Sequence, residues 1–153
     1  DHVLRRRKET KHMVIHAADL GIHLDRGTGQ AMYRWLVASM LFGRPVQQSV
    51  GADAYRALID RGLTSPPKYA ELEREELRAI LDDAHYARID YIMTDELHEV
   101  MATIVDEYGT VSKMVRTSGD RKELTRRLTA MKGIGPKTAE IFLRDLPEHV
   151  LPR

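Results

Sequence analysis

The sequence predicts an all-α fold, and three observations carry that prediction. Apolar residues recur at three- and four-residue spacing in several separate segments. β-branched residues are scattered and never alternate with polar ones over a useful length, so no segment has the period of a half-buried strand. Breakers punctuate the periodic segments: Gly43-Arg44-Pro45, Gly62 with Ser65-Pro66-Pro67, and Gly109. At 153 residues the chain can bury a real core, as one domain or a short two-lobed unit.

Residues 3–24 are predicted as a first helix, basic at its start and apolar later through Val14, Ile15, Ala18 and Leu20. His12, His16, Asp19 and His23 fall on one stripe of such a helix. A single ion reaches only neighbours a turn apart, and Gly21 interrupts before His23, so the stripe reads as a polar face and no metal is expected. Arg26-Gly27-Thr28-Gly29 is a linker. Met32 to Phe42 is apolar nearly all round, the pattern of a central buried helix.

A shorter helix, about Ser49 to Arg61, carries Val50, Ala54, Leu58 and Ile59 on one side. Glu73 to Ala84 is amphipathic through Leu77, Ile80, Leu81 and Ala84, and His85-Tyr86 makes the turn after it. The longest helix runs from about Arg88 to Tyr108, with Ile89, Met93, Leu97, Val100, Met101 and Ile104 on its apolar side, and Gly109 closes it. Ser118-Gly119-Asp120 leads as a loop into a further helix, where Asp120 and Glu123 have the spacing of a capping box. Pro147 to Arg153 reads as the start of a loop.

One stretch carries chemistry: Met131-Lys132-Gly133-Ile134-Gly135-Pro136-Lys137-Thr138-Ala139. Two glycines flank one apolar residue, and helical patterning lies on both sides through Leu124 and Leu128 before it and Ile141, Phe142 and Leu146 after it. The glycines permit a tight turn with positive φ and leave two amides bare. Pro136, with preset φ and no N–H, suits the first turn of the second helix. Bare amides backed by the positive end of a helix dipole bind anions, and the expected anion is a nucleic-acid phosphate. The plainer alternative is a tight turn between two helices.

Charge along the chain supports the phosphate reading. The net charge is +1, but residues 52–107 hold 14 acids against 6 bases, whereas residues 113–137 hold 8 bases against Asp120 and Glu123. Arg5-Arg6-Arg7-Lys8 with Lys11 forms a second basic cluster. The acidic middle is expected to be a solvated face away from DNA. The basic stretch coincides with the hairpin and reads as a nucleic-acid footprint. With no cysteine, the chain itself holds no disulfide, thiolate zinc site or iron–sulfur cluster, and no cofactor is expected. No apolar run approaches membrane-spanning length and no signal-peptide pattern opens the sequence, so a cytoplasmic location is expected.

A buried helix, two short helices, an Arg-Ala-Ile-Leu segment ending in His-Tyr, a long helix and Lys-Gly-Ile-Gly-Pro-Lys-Thr-Ala together resemble one family. It is the endonuclease III-like superfamily of DNA glycosylases, and the likeness covers about residues 30–146. It implies a helical barrel over residues 28–146 that ends in a helix-hairpin-helix (121–146), with residues 1–27 contributing to a second lobe and 147–153 beginning a loop. It also implies a flipped base held between the lobes. The partner is double-stranded DNA, damaged or mismatched, and the process is base-excision repair.

Residue by residue, Gly133 and Gly135 match the hairpin glycines whose amides bind a phosphate, with Lys132, Ile134 and Thr138 around them. Lys137 falls where bifunctional members carry the lysine that attacks C1′ of the sugar, expels the base and forms an iminium, which permits strand cleavage. Such an amine must be desolvated or lie near another cation to be neutral enough at pH 7. A plain phosphate contact is the other role open to Lys137.

The sequence also departs from the family. Arg44 stands where many members place a glutamine that fills the gap left by the flipped base. The His85-Tyr86 turn matches the region of the wedge residue but follows Ala84 instead of glycine. The catalytic aspartate would fall just beyond Arg153, and Asp145 comes too early for that role. Two functions are therefore carried forward: a DNA glycosylase with abasic-site lyase activity, and a non-catalytic DNA-binding member of the same fold. A helical module of a larger nucleic-acid machine is a third.

Overall fold

The computed structural model describes residues 14–86 and 89–151, and among them there is no strand. Their α-helices are α1 (Gly29–Phe42), α2 (Gln48–Asp60), α3 (Arg74–Asp83), α4 (Asp90–Glu107), α5 (Val111–Arg116), α6 (Arg121–Thr129) and α7 (Pro136–Asp145). The chain is all-α, as its periodicity predicts. None of these helices is long and apolar enough to cross a membrane.

The uniformly apolar helix is the centre. Met32, Trp35, Leu36, Val37 and Leu41 of α1 are wholly buried, and α2, α5 and α7 pack around it. Thr28 starts it by accepting a hydrogen bond from the Ala31 amide at 3.1 Å, which satisfies one of the donors a helix start leaves unpaired. α3 and α4 form a second pair, tied by Arg78 to Asp90 at 3.0 Å and by Arg74 to Asp95 at 2.8 Å. A 3₁₀ turn, Pro66–Glu71, lies along α4.

Helix α5 is absent from the sequence expectation, which names no helix between Gly109 and the Ser118-Gly119-Asp120 loop. Thr110 caps it by accepting from the Lys113 amide at 3.0 Å, and Val111, Met114 and Val115 are buried against α1. At α6, Asp120 accepts from the Glu123 amide at 2.8 Å, half of the expected capping box. The Glu123 carboxylate takes the Gly119 amide at 2.6 Å instead of that of Asp120.

The helix expected over residues 3–24 does not form in its described part; residues 1–13, with His12 and the N-terminal basic cluster, lie outside the described residues. Two 3₁₀ turns, Ala17–Leu20 and Leu24–Arg26, replace it, and each ends in a glycine at positive φ, Gly21 at 73° and Gly27 at 64°. The cause is tertiary. Asp145, at the end of α7, accepts from the Ala17 amide at 2.8 Å and lies 2.9 Å from His16 Nδ1, and Arg144 donates to the Ile15 carbonyl at 3.1 Å. This clasp breaks up the polar stripe. His16 goes to Asp145, and Asp19 accepts from the His16 backbone amide at 2.8 Å. Among the described residues, no group of three or more side chains could hold a metal ion. The tail folds back as a short 3₁₀ turn, Glu148–Val150, with Val150 buried beside Gly27.

The clasp predicts an acid-sensitive contribution to stability. Burial alone would raise the Asp145 pKa, but the Ala17 amide, His16 and Arg144 outweigh it and hold the carboxyl below its ordinary value of 3.8. The unfolded chain therefore takes up this proton first. The stabilisation is fully present above pH 3.8 and is lost as pH falls through the lower folded value. Asp145→Asn is expected to cost roughly 1–2 kcal/mol at pH 7 by urea denaturation, with the deficit shrinking as pH falls below 4.

Candidate functional site

The loop joining α6 to α7 is built on one buried apolar residue. Ile134 is 3% exposed and Met131 5%, so the loop is pinned at its middle while its glycines stay on the outside. The Ile134 amide donates to the Met131 carbonyl at 3.1 Å and closes the turn. Gly133 has φ of +106°, a conformation other residues adopt with strain, and a Cβ there would stand 2.8 Å from Cβ of Glu96. Gly135 is different: its φ is −91° and a Cβ would meet nothing within 4 Å. The positive φ expected of both glycines is needed only at Gly133. What Gly135 offers is open space in front of its backbone.

Among the hydrogen bonds of the described residues, neither the Gly133 nor the Gly135 amide has an acceptor. Pro136 occupies the first turn of α7, so these amides precede a helix start that carries partial positive charge. The first turn of α7 presses against the end of α1, where a Cβ on Gly43 would lie 2.0 Å from Thr138 Oγ1. That close approach sets Arg44, the next residue, beside the loop.

The result is a cavity of about 420 Å³ whose charged lining consists of Arg44, Glu96, Lys132 and Lys137. Lys137 and Lys132 are exposed. Lys132 also acts on α4. Asp95 is held below its ordinary pKa by its hydrogen bond from Arg74 first, and more weakly by His98 and Lys132. Arg44 is ion-paired with Glu96, with side-chain exposures of 32% and 14%. Nothing in the acidic run of residues 52–107 marks Glu96 out in advance. It faces the loop because of how α4 packs, and it shows that this segment does not lie wholly apart from the candidate site.

No family model, curated protein or solved structure matches this chain.

The expected site residues divide accordingly. Arg44, Lys132, Gly133, Gly135 and Lys137 meet around one cavity. Ile134 and Thr138 line it, but their side chains are 3% and 5% exposed and serve packing, so neither offers a side chain to a large ligand. Tyr86 is 1% exposed, and its hydroxyl donates to the Leu41 carbonyl at 2.8 Å. It is a core residue tying the turn to α1 and has no surface for a wedge. His85 is exposed, with φ of +67°, and does not line the cavity.

The basic stretch is likewise only partly available. Arg116 donates to the Gly27 carbonyl, Arg121 to the Leu143 carbonyl at 2.7 Å, and Arg127 to the Met114 carbonyl at 2.9 Å. These three guanidinium groups are engaged with backbone carbonyls, although Arg116 and Arg121 stay exposed as residues, as do Lys113, Lys122, Arg126, Lys132 and Lys137. Arginine forks fit carbonyl-rich helix ends and lysines are kept at the surface.

Proposed function

We propose that the chain binds duplex DNA through a helix-hairpin-helix formed by α6, α7 and the loop between them, within an endonuclease III-like fold. It would serve base-excision repair as a DNA glycosylase, with Lys137 as the nucleophile of an abasic-site lyase step. One observation carries the reading: two unpaired glycine amides at a helix start share a cavity with Lys132, Lys137 and Arg44. This arrangement suits a backbone phosphate because main-chain donors and a few cations give sequence-neutral affinity. The amine of Lys137 is not prepared by burial; Arg44 and Lys132 are the cations that share its cavity.

Binding without chemistry is the second reading, and a specific feature favours it. Glu96, the one carboxylate among the described residues that line the cavity, is paired with Arg44 in the unliganded chain, and no second acid among them stands beside it to assist base release.

Salt dependence tests the DNA reading. Lys132→Glu is expected to make the slope of log affinity against log salt shallower by about 0.9, the value of one phosphate contact. Glu75→Lys, at an exposed position of α3, is expected to leave that slope unchanged. Equal shifts from both variants would show a diffuse field and no hairpin footprint.

A further inference from the structure

We infer that Glu96 is an internal substitute for a DNA phosphate: it holds Arg44 inside the hairpin cavity until a backbone phosphate displaces it, which makes Arg44 a phosphate contact held in reserve. The inference rests on the hairpin being the DNA site. It goes beyond that reading by assigning a competing anion within the site and a second cation that it controls.

Four features support it. Glu96 is the one acid among the described residues lining this cavity, set against Arg44, Lys132 and Lys137. Its Cβ and Cγ lie where a side chain on Gly133 would go, so Glu96 packs directly against the loop whose amides would face the phosphate. Only one carboxylate oxygen is used: Oε1 takes Arg44, while Oε2 is buried and has no hydrogen-bond partner among the described residues. A pair serving stability alone gains from satisfying both oxygens, because a desolvated and unpaired oxygen costs free energy. Finally, the Arg44 side chain is 32% exposed, so its guanidinium can turn to an incoming anion without unpacking the core.

A guanidinium forms charge-assisted hydrogen bonds to carboxylate and phosphate alike, so Arg44 loses little in the exchange. The cost falls on Glu96, which is left without its cation, and that cost is what Glu96→Gln would remove. Until that exchange the pair keeps one cation neutralised, and the unliganded cavity is less attractive to stray anions.

The test is fluorescence anisotropy with a labelled duplex across a salt series, on the parent, Glu96→Gln, Arg44→Gln and the double variant. Glutamine matches the size of Glu96 and keeps a polar, uncharged side chain at position 44. Glu96→Gln is expected to bind roughly tenfold more tightly than the parent at about 0.1 M salt with the parental slope, because Arg44 reaches the phosphate in both and only the competing carboxylate is gone. In the Arg44→Gln background that gain is expected to vanish. An affinity unchanged or weakened by Glu96→Gln overturns the inference. So does a gain that persists without Arg44, since it would reflect only the removal of a negative charge. Should Glu96→Gln fail to fold by circular dichroism, Arg44→Gln decides alone: a slope shallower by about 0.9 supports the reserve contact, and a parental slope overturns it. A parent that does not bind the duplex defeats the hairpin reading itself, and the inference with it.

Discussion

An abasic-site duplex incubated with this protein and borohydride is expected to yield a covalent adduct, and Lys137→Gln is expected to abolish it. The Lys137 amine adds to the open-chain aldehyde at C1′, water leaves, and hydride reduces the resulting iminium to a stable secondary amine. Trapping is to be followed over hours rather than minutes. The variant is expected to keep its fold and most of its duplex affinity, since the amides of Gly133 and Gly135 do not depend on that side chain. An adduct that survives in Lys137→Gln would move the chemistry to another amine, Lys132 first. No adduct in the parent would remove the lyase step. Direct measurement of base release would then separate a glycosylase acting through water from a module that only binds.

The second large effect concerns the core that aligns the site. Trp35 is wholly buried on α1, its Nε1 donates to the Phe142 carbonyl of α7 at 3.2 Å, and its ring lies tilted on Phe42 with centroids 6.3 Å apart. Trp35→Ala is expected to cost about 3–5 kcal/mol, from lost burial and the cavity left behind. A domain of this size has about 5–15 kcal/mol in all, so the variant should approach the folding threshold at 25 °C. Urea denaturation would show a large drop in midpoint at a similar slope. A loss below about 1 kcal/mol would mean that α1 and α7 are not joined through this residue.

How much of this is legible in the sequence depends on whether a residue's role is local. The core helix could be read from Met32 to Phe42 because residues apolar on every side have nowhere else to go. The turn between α6 and α7 could be read because a buried Ile134 between two glycines and a helix-starting Pro136 form a local device. The failures are tertiary. Residues 17–26 have helical periodicity, but the Asp145 clasp and the left-handed Gly21 and Gly27 divide them into two turns. Helix α5 is six residues long, too short for its Val111, Met114 and Val115 to stand out as a period. Likeness to a family points to Tyr86 as well, and packing turns that side chain into the core. Glu96 is one of 14 acids in its segment, and only the placement of α4 against the loop sets it apart.

The claim that the hairpin grips a phosphate is tested most directly by duplex affinity in Gly135→Val. Gly135 has an unstrained φ of −91° and open space where a side chain would go, so valine should leave the thermal midpoint within a few degrees of the parent. Its branched side chain would occupy the space in front of the bare amides that a phosphate must enter. Anisotropy at about 0.1 M salt should show about a tenfold or greater loss of affinity for a variant that is still folded. A folded Gly135→Val that binds the duplex as tightly as the parent would contradict the account.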